Sequence, residues 1–229
     1  MKVIVYGANG AMGRKVAELE GEREGFTVAA LVSPSFAGSK KDKEYGSIRE
    51  YKGAANVVID FSNHSAAGEL LSYCRSNGMP VVIATTGHTD EEKALIKEAS
   101  KDIPIFYSAN MSMGVAATCE LAKKAAMYLP GADIEIVEIH HNRKLDAPSG
   151  TAKSLGDIVE RHLGQTPEIE SHRVGEVPGT HTVSFLSDVD KLTFTHEAFS
   201  REGFAEGAVY AATLADSMNG VHEFKDLIL

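Results

Sequence analysis

The stretch KVIVYGANGAMGRK, Lys2–Lys15, decides the fold. Its apolar, β-branched beginning predicts a buried strand that ends at Gly7. Gly10 and Gly13 follow at the start of a predicted helix. Glycines at such a turn let the backbone approach a pyrophosphate closely, and a helix N-terminus attracts phosphate. The spacing is GxxGxxG and not the common GxGxxG, so the pattern fits either a dinucleotide site or an ordinary tight turn.

Apolar strands and helical segments alternate from this turn onward over about 110 residues. FTVAALVS, ANVVIDFS, MPVVIATTG and IPIFYSANMS are the next predicted strands, with helices between them. Strands that are apolar throughout are typical of sheets covered by helices on both faces. The first part of the chain therefore predicts an α/β fold with a doubly wound parallel sheet.

The regular alternation of predicted strands and helices ends after Ser112. We place the first domain boundary near Ser108–Met111. GVAATCELAKKAAMYL predicts a long helix, and ADIEIVEI predicts a half-exposed strand. A further helix is predicted from Ser149 or Gly150 to about Leu163. HTVSFLS and KLTFTHEA indicate antiparallel strands, and FAEGAVYAATLADSM a final helix. This part predicts a smaller, mixed α+β domain.

The composition of the chain limits the classes of partner that it is expected to bind. The 229 residues carry a net charge of −9, which argues against nucleic acid or an anionic membrane as a partner. An anionic small molecule would need a local cluster of cations. Two cysteines, no CxxC and an N-terminus that reads as a strand favour the cytoplasm. No apolar run reaches the roughly 18–20 residues that span a bilayer.

Further ligand groups follow other predicted strands. IATTGH and SANMSMG stand at the carboxyl ends of two strands, where open α/β sheets bind ligands. NAD sites usually carry an acid at the end of the second strand, but Ser33 and Ser35 stand here, followed by Lys40 and Lys41. This pattern favours NADPH, or tolerance of both NADPH and NADH. A solvated loop is the alternative.

The stretch EIHHNRKLDAPSGTAK, Glu138–Lys153, carries the densest chemistry. If the chain stays extended, His140 and His141 point to opposite faces, one as a proton donor and one toward a ligand. Lys144 adds a positive charge. Ser149 is placed to cap the next helix, whose first turn offers amides to a carboxylate. Two anion-binding elements with an acid between them suit a small dicarboxylate.

Three alternatives compete for this stretch. A metal site is disfavoured because the histidine pair has no third ligand at a plausible spacing and lacks i,i+4 helical pairing, so we expect no metal. The pair could also belong to a structural network at a domain interface. Ser149 could be a nucleophile, but GxSxG is absent and a serine at a helix start is more often a cap.

EIHHNRKLDAPSGTA resembles the signature of the 4-hydroxy-tetrahydrodipicolinate reductase (dihydrodipicolinate reductase) family, which serves the diaminopimelate route to lysine. GANGAMGR, DFS, ATTG, SANMSMGV, RVGEVPGTHTVSF and REGFAEGA resemble other blocks of that family, so the resemblance covers nearly the whole chain. It implies a Rossmann-type domain over residues 1–109 and about 202–229. It also implies a substrate-binding domain over residues 110–201 that builds a homotetramer.

The resemblance also implies roles for residues. His140 would be the general acid, and Lys144 would assist proton transfer and hold a substrate carboxylate. The cyclic dicarboxylate would contact His141, Lys144, Ser149, Gly150 and Thr151. Together with the loops quoted above, the resemblance assigns cofactor contacts to Gly7, Asn9, Gly10, Ala11, Met12, Gly13, Ser33, Phe61, Ser62, Ala84, Thr85, Thr86, Gly87, Ser108, Ala109, Asn110 and Met111.

Two points of the pattern depart from the family. Many relatives carry a charged residue where Val32 and Ser33 fall, which leaves the choice between NADH and NADPH open. Arg143 sits where relatives vary. Another nicotinamide-dependent dehydrogenase, or a sensor without turnover, are the competing functions. The histidine-lysine-DAPSGT block argues against the first, and an intact His140/Lys144 pair argues against the second.

Overall fold

The computed structural model describes residues 1–215 and 219–224, which form two compact units. The first unit comprises Met1–Met111 and the described residues from Glu202 onward, and the second comprises Ser112–Arg201. Part of the segment expected to belong to the first domain, residues 216–218 and 225–229, lies outside the described residues.

Eleven strands and six α-helices occur within the described residues. The strands are β1 (Lys2–Tyr6), β2 (Thr27–Val32), β3 (Glu44–Tyr45), β4 (Val57–Asp60), β5 (Val81–Ile83), β6 (Ile105–Tyr107), β7 (Asp133–His140), β8 (Glu168–Arg173), β9 (Gly179–Leu186), β10 (Lys191–Ala198) and β11 (Val221–His222). The helices are α1 (Ala11–Glu18), α2 (Ala67–Asn77), α3 (Asp90–Ala99), α4 (Met113–Tyr128), α5 (Gly150–Leu163) and α6 (Glu202–Leu214). None of these helices combines the length and the apolar character needed to cross a bilayer.

The sheet of the first unit is parallel throughout, in the order β11-β6-β5-β4-β1-β2-β3. Every side chain of β4 and β5 is buried, as expected for a sheet covered on both faces. The chain moves from β1 toward one edge and from β4 toward the other. Ligands of such sheets bind at the carboxyl ends of the strands where this reversal occurs. The predicted doubly wound, Rossmann-type sheet is confirmed.

Some strands end earlier than the sequence predicts. β4 stops at Asp60, because the Asp60 carboxylate accepts a hydrogen bond of 2.9 Å from the backbone N–H of Ser62 and turns the chain. β5 ends at Ile83 and β6 at Tyr107, so the polar stretches that follow them are loops. β3 and β11 have two residues each, which is too short for a hydrophobic period to reveal.

The second unit has a four-stranded sheet in the order β10-β9-β7-β8. β7 and β8 are parallel, and the other pairs are antiparallel. Its core joins Ala122 and Ala126 of α4, Leu155 of α5, and Ile136 and Phe185 of the sheet. The predicted mixed α+β architecture and the antiparallel β9–β10 pair are confirmed. Nothing in the sequence pattern predicts β8, because its side chains alternate only between exposed and half-buried positions.

Strand β7 carries ionisable side chains into this core. Ile136, Glu138 and His140 are all buried, because alternate residues of a strand share one face. Glu138 is fully inaccessible and His140 is 8% exposed. The register pairs Glu138 with His181 of β9. The end of β7 therefore assembles a polar cluster on the apolar side of the sheet.

Candidate active site

The glycine turn of the first unit is built from close backbone contacts. Gly7 has a φ of +83°, and a Cβ atom there would lie 2.5 Å from the carbonyl oxygen of Phe61. A Cβ atom on Gly13 would lie 2.4 Å from the carbonyl oxygen of Gly7. Only glycine fits these two positions, so the loop after β1 packs tightly against the loop after β4.

The start of α1 fits a phosphate. Gly10 is its N-cap residue, and within the described part of the chain no side chain caps the helix. Its first turn contains no acidic residue, so the positive end of the helix dipole is not offset locally. The side-chain carbonyl of Asn9 accepts a hydrogen bond of 3.0 Å from Arg14. These features suit the pyrophosphate of a dinucleotide.

The predicted cofactor loops share one edge of the sheet. Because β6, β5, β4 and β1 are consecutive neighbours, the loops after their carboxyl ends are neighbours as well. The edge carries Gly7–Gly13, Phe61–Ser62, Ala84–Gly87 and Ser108–Met111. Burial raises the pKa of Asp60, which shapes one of these loops through Ser62. The structure thus groups these predicted cofactor residues.

Strand β2 neighbours β1 on the side opposite to β4, and the loop that follows β2 contains Ser33 and Ser35. Ser33 is buried, and its hydroxyl lies 2.9 Å from that of Ser35. Lys41 is largely exposed, with its Nζ atom 3.7 Å from a carboxylate oxygen of Glu44. That carboxylate offsets part of the positive charge which the sequence places in this loop.

In the second unit, Glu138 is the centre of a buried hydrogen-bond cluster. Its Oε1 atom accepts from the guanidinium of Arg173 at 2.9 Å and from the backbone N–H of Ser149 at 3.2 Å. Its Oε2 atom contacts Nδ1 of His140. Burial alone would raise the pKa of Glu138, but hydrogen bonds led by that from Arg173 outweigh it and lower the pKa to about 2. Glu138 is therefore an anion at neutral pH.

The two buried histidines of the cluster lie edge to face. The ring centroids of His140 and His181 are 5.1 Å apart. Burial, with His140 as a further cause, lowers the pKa of His181 to about 4, so His181 is neutral. The pKa of His140 is lowered by burial, which the neighbouring Glu138 carboxylate partly offsets.

Ser149 forms hydrogen bonds through both its hydroxyl group and its backbone N–H. Its hydroxyl caps α5 by accepting from the N–H of Ala152 at 3.2 Å, and it lies 2.9 Å from Nε2 of His181. Its side chain and backbone N–H are thus committed within the protein, and it is 2% exposed. The helix start predicted at Ser149 or Gly150 is confirmed, with Ser149 as the cap and α5 ending at Leu163.

The turn after β7 carries the remaining predicted substrate residues. Strand β7 ends at His140, so His141 lies just beyond the strand and not within it. His141 is half-buried, and its Nδ1 atom is buried without a hydrogen-bond partner among the described residues. The Nζ atom of Lys144 contacts both carboxylate oxygens of Asp146, at 2.8 and 2.9 Å. A substrate carboxylate at Lys144 would compete with Asp146.

The structure also corrects the reason given above for expecting no metal. A third possible ligand does exist, because side-chain atoms of Glu138, His140 and His181 lie within 4.8 Å of one another. However, both carboxylate oxygens of Glu138 are already engaged, one of them by the cationic Arg173. The Arg173 guanidinium, 2.9 Å from Oε1 of Glu138, would repel a metal cation bound to this carboxylate. We therefore assign no metal to this cluster.

Sequence reasoning missed Glu138, Arg173 and His181. The signal for Glu138 was present, since it continues the alternation of Ile134 and Ile136 and is therefore carried inward. Arg173 and His181 come from strands whose pairing with β7 is not readable from local pattern.

Comparisons with known proteins agree over the whole chain. Residues 1–111 match the family described as "Dihydrodipicolinate reductase, N-terminus", and residues 114–228 match its C-terminus. A 4-hydroxy-tetrahydrodipicolinate reductase of Caldanaerobacter subterraneus subsp. tengcongensis is 40% identical and covers 100% of this chain, which covers 98% of that protein. The reductase of Acinetobacter baumannii is 37% identical, over 92% of this chain and 89% of its own length.

Solved structures show the same fold. A dihydrodipicolinate reductase from Paenisporosarcina sp. TG-14, with dipicolinate bound, superposes with a TM-score of 0.81 at 21% identity. The match covers 100% of this chain and 99% of that one. A probable dehydrogenase from Thermotoga maritima reaches a TM-score of 0.66 at 11% identity, covering 99% of this chain and 92% of its own.

Proposed function

The chain belongs to the dihydrodipicolinate reductase family, and we propose that its two units divide that family's reaction between cofactor binding and proton chemistry. The enzyme reduces 4-hydroxy-2,3,4,5-tetrahydrodipicolinate to 2,3,4,5-tetrahydrodipicolinate in lysine biosynthesis through diaminopimelate. The reaction consumes one reduced nicotinamide and one proton, and it releases water. It therefore needs a cofactor site, an acid and a cradle for two carboxylates.

The first unit holds the dinucleotide. Gly10, Met12 and Gly13 at the start of α1 receive the pyrophosphate, which suits the uncapped helix N-terminus and the absence of side chains at the two glycines. The loops after β4, β5 and β6 surround the nicotinamide end, with Phe61–Ser62, Ala84–Gly87 and Ser108–Met111. When bound, the reduced nicotinamide supplies the hydride.

His140 supplies the proton. The observation that carries this role is its buried contact with the ionised Glu138, beside the positive charge of Lys144. Imidazole is suited to donate a proton near neutrality, because its ordinary pKa lies close to 6.5. Glu138 stabilises the protonated ring, whereas Lys144 and Arg173 favour its release of the proton.

The start of α5 and the preceding turn hold the dicarboxylate. Lys144 pairs with one carboxylate by exchanging Asp146 for the substrate, and His141 offers a ring nitrogen that has no partner among the described residues. Gly150 and Thr151 receive the other carboxylate at the positive end of α5. Ser149 serves this site as the cap that fixes the helix start. The dipicolinate in the Paenisporosarcina structure supports a cyclic dicarboxylate as the ligand class.

NADPH is the preferred cofactor in this proposal, with NADH also accepted. No carboxylate side chain stands at Ser33 or Ser35 to repel a 2′-phosphate, and Lys40 and Lys41 follow in the same loop. Titrating both cofactors by nicotinamide fluorescence measures this preference. The proposal expects the lower Kd for NADPH, and a lower Kd for NADH would contradict it.

The homotetramer and the cytoplasmic location follow from the family resemblance and from the composition of the chain. Light scattering on the purified full chain tests the assembly, and a mass of four chains is the expected result. A monomer at assay concentration would contradict it.

A coupled assay tests the reaction itself. Pyruvate and aspartate semialdehyde are condensed enzymatically, and the oxidation of NADPH and NADH is followed separately. Substrate-dependent oxidation by the wild-type chain is expected. Folded protein that binds cofactor but oxidises neither one would overturn the proposed function.

A further inference from the structure

Glu138 stands out among the buried ionisable groups, because it is inaccessible to solvent and both of its carboxylate oxygens have hydrogen-bond partners. Its Oε1 atom faces two donors, Arg173 and the N–H of Ser149. Its Oε2 atom contacts Nδ1 of His140. A carboxylate with this much hydrogen bonding stays ionised, so at Oε2 it acts as an acceptor.

An acceptor at Oε2 fixes the proton on the facing nitrogen of His140. The Nδ1 atom must carry hydrogen, and Nε2 is then the nitrogen that gains and loses a proton. Gly179 lies against this Nε2 atom, and a Cβ atom there would come within 2.9 Å of it. The ring is thus held on one side by a charge and bordered on the other by a residue without a side chain.

We propose that Glu138 is a positioning residue that holds His140 in its Nδ1–H tautomer and thereby makes Nε2 the atom that delivers the proton. The proposal rests on the proposed function, in which His140 is the acid. Arg173 acts one step further away by keeping Glu138 ionised. Neither residue touches the substrate in this role.

The charges around His140 come from each element packed against it. Glu138 on β7 favours the protonated ring, whereas Lys144 after β7 and Arg173 on β8 disfavour it. His181 on β9 has a pKa lowered to about 4, so it is neutral at neutral pH. Glu138 is the one group among these that holds the proton on His140, so removing its charge moves the pKa of His140 further down.

Glu138→Gln is the sharpest variant. The amide oxygen can still accept from Arg173 and Ser149, which leaves the amide N–H₂ group facing Nδ1 of His140. Because an N–H₂ group cannot accept, Nδ1 must become the acceptor, and the neutral ring switches to the Nε2–H tautomer. Glu135→Gln is the matched control, since it makes the same change on the exposed side of the same strand.

Nitrogen-15 NMR of the histidine rings reads the tautomer without any turnover. The wild-type chain and Glu135→Gln are expected to show His140 protonated at Nδ1 when neutral, and Glu138→Gln to show it protonated at Nε2. A wild-type His140 that is neutral with its proton on Nε2 would overturn the proposal, and this result needs no variant to fold. An unchanged tautomer in Glu138→Gln would overturn it as well.

Kinetics provide the second readout. In Glu138→Gln, kcat at neutral pH is expected to fall roughly 100-fold, within the range of about 10²–10⁴ that a positioned acid contributes. The fall of kcat at high pH should begin at a lower pH, because the acid form is lost earlier. A uniform loss at every pH would mean a merely structural role. The coupled assay on the wild-type chain tests the proposed function separately, so the two failures are distinguishable.

Discussion

The glycine turn and the histidine cluster build their binding groups in opposite ways. The turn offers backbone amides, and Gly7 and Gly13 contribute by having no side chain. The cluster is made of side chains, with Glu138, Arg173 and His181 brought together by three strands. A site made of backbone is robust as long as its loops keep their shape. A site made of buried side chains depends on each partner, since every unpaired polar group is costly.

The buried carboxylates of the two regions show the same contrast. Burial raises the pKa of Asp60, which accepts a hydrogen bond from the neutral backbone N–H of Ser62. Glu138 is equally buried, yet its pKa is lowered because Arg173 is its partner. Asp60 therefore shapes a loop, whereas Glu138 places a permanent charge beside His140.

Removing the proposed acid, His140, should produce the largest effect and should affect turnover without affecting cofactor binding. His140→Ala is expected to lower kcat by about 10²–10⁴-fold, the usual contribution of a positioned acid. The Kd of NADPH should stay unchanged, because the residues proposed to bind the cofactor belong to the first unit. Steady-state kinetics and fluorescence titration measure the two quantities. His162→Ala, an exposed histidine of α5, is the control.

The opposite outcome would break this contrast between the regions. If His140→Ala lost NADPH binding while turnover per bound cofactor stayed intact, His140 would belong to the cofactor site.

Acid should expose the dependence of the cluster on its neutral histidine. The pKa of His181 is about 4 in the fold and about 6.5 when unfolded, so its stabilising effect is complete above pH 6.5 and is lost as the pH falls toward 4. The loss is on the order of 3 kcal/mol, at roughly 1.4 kcal/mol for each pKa unit. His181→Gln, which does not titrate, should flatten this part of the stability curve.

Urea unfolding followed by circular dichroism at pH 7 and pH 4 checks this expectation. His162→Gln is the control on an exposed histidine and should keep the wild-type curve. An equal loss of stability in His181→Gln and in the wild type would show that His181 does not set the acid response.

Adding a methyl group to the glycine turn tests whether its backbone is as tightly packed as the contacts of Gly13 indicate. In Gly13→Ala the new Cβ atom would lie 2.4 Å from the carbonyl oxygen of Gly7, so the loop must shift. The free energy of unfolding should fall by about 1–3 kcal/mol, as for other overpacked sites. Gly68→Ala in α2 meets no atom within 4 Å and should leave stability unchanged or raise it by up to about 1 kcal/mol. Equal unfolding curves for the two variants would refute tight packing at Gly13.

The glycine turn and the histidine cluster also differ in how much of each can be predicted from the sequence. The sheet and the glycine turn could be predicted because strand periodicity, the Gly7–Gly13 spacing and the helix start are local features. The N-cap of α5 at Ser149 and the end of β7 are equally local features. The partners of His140 were not, since Arg173 and His181 approach it through pairing across 35 to 43 residues of chain from Glu138. The resemblance supplied the role of His140, but only the strand register shows what holds it.

The central claim is that cofactor binding and proton delivery are separate properties of the two regions. The double variant Gly10→Ala/His140→Ala tests it most directly, because Gly10 begins α1 and tolerates a methyl group better, at 3.2 Å from the oxygen of Gly7. The Kd of NADPH should equal that of Gly10→Ala alone, and kcat at saturating cofactor should equal that of His140→Ala alone. A coupling free energy well above about 0.5 kcal/mol in either quantity would contradict the separation.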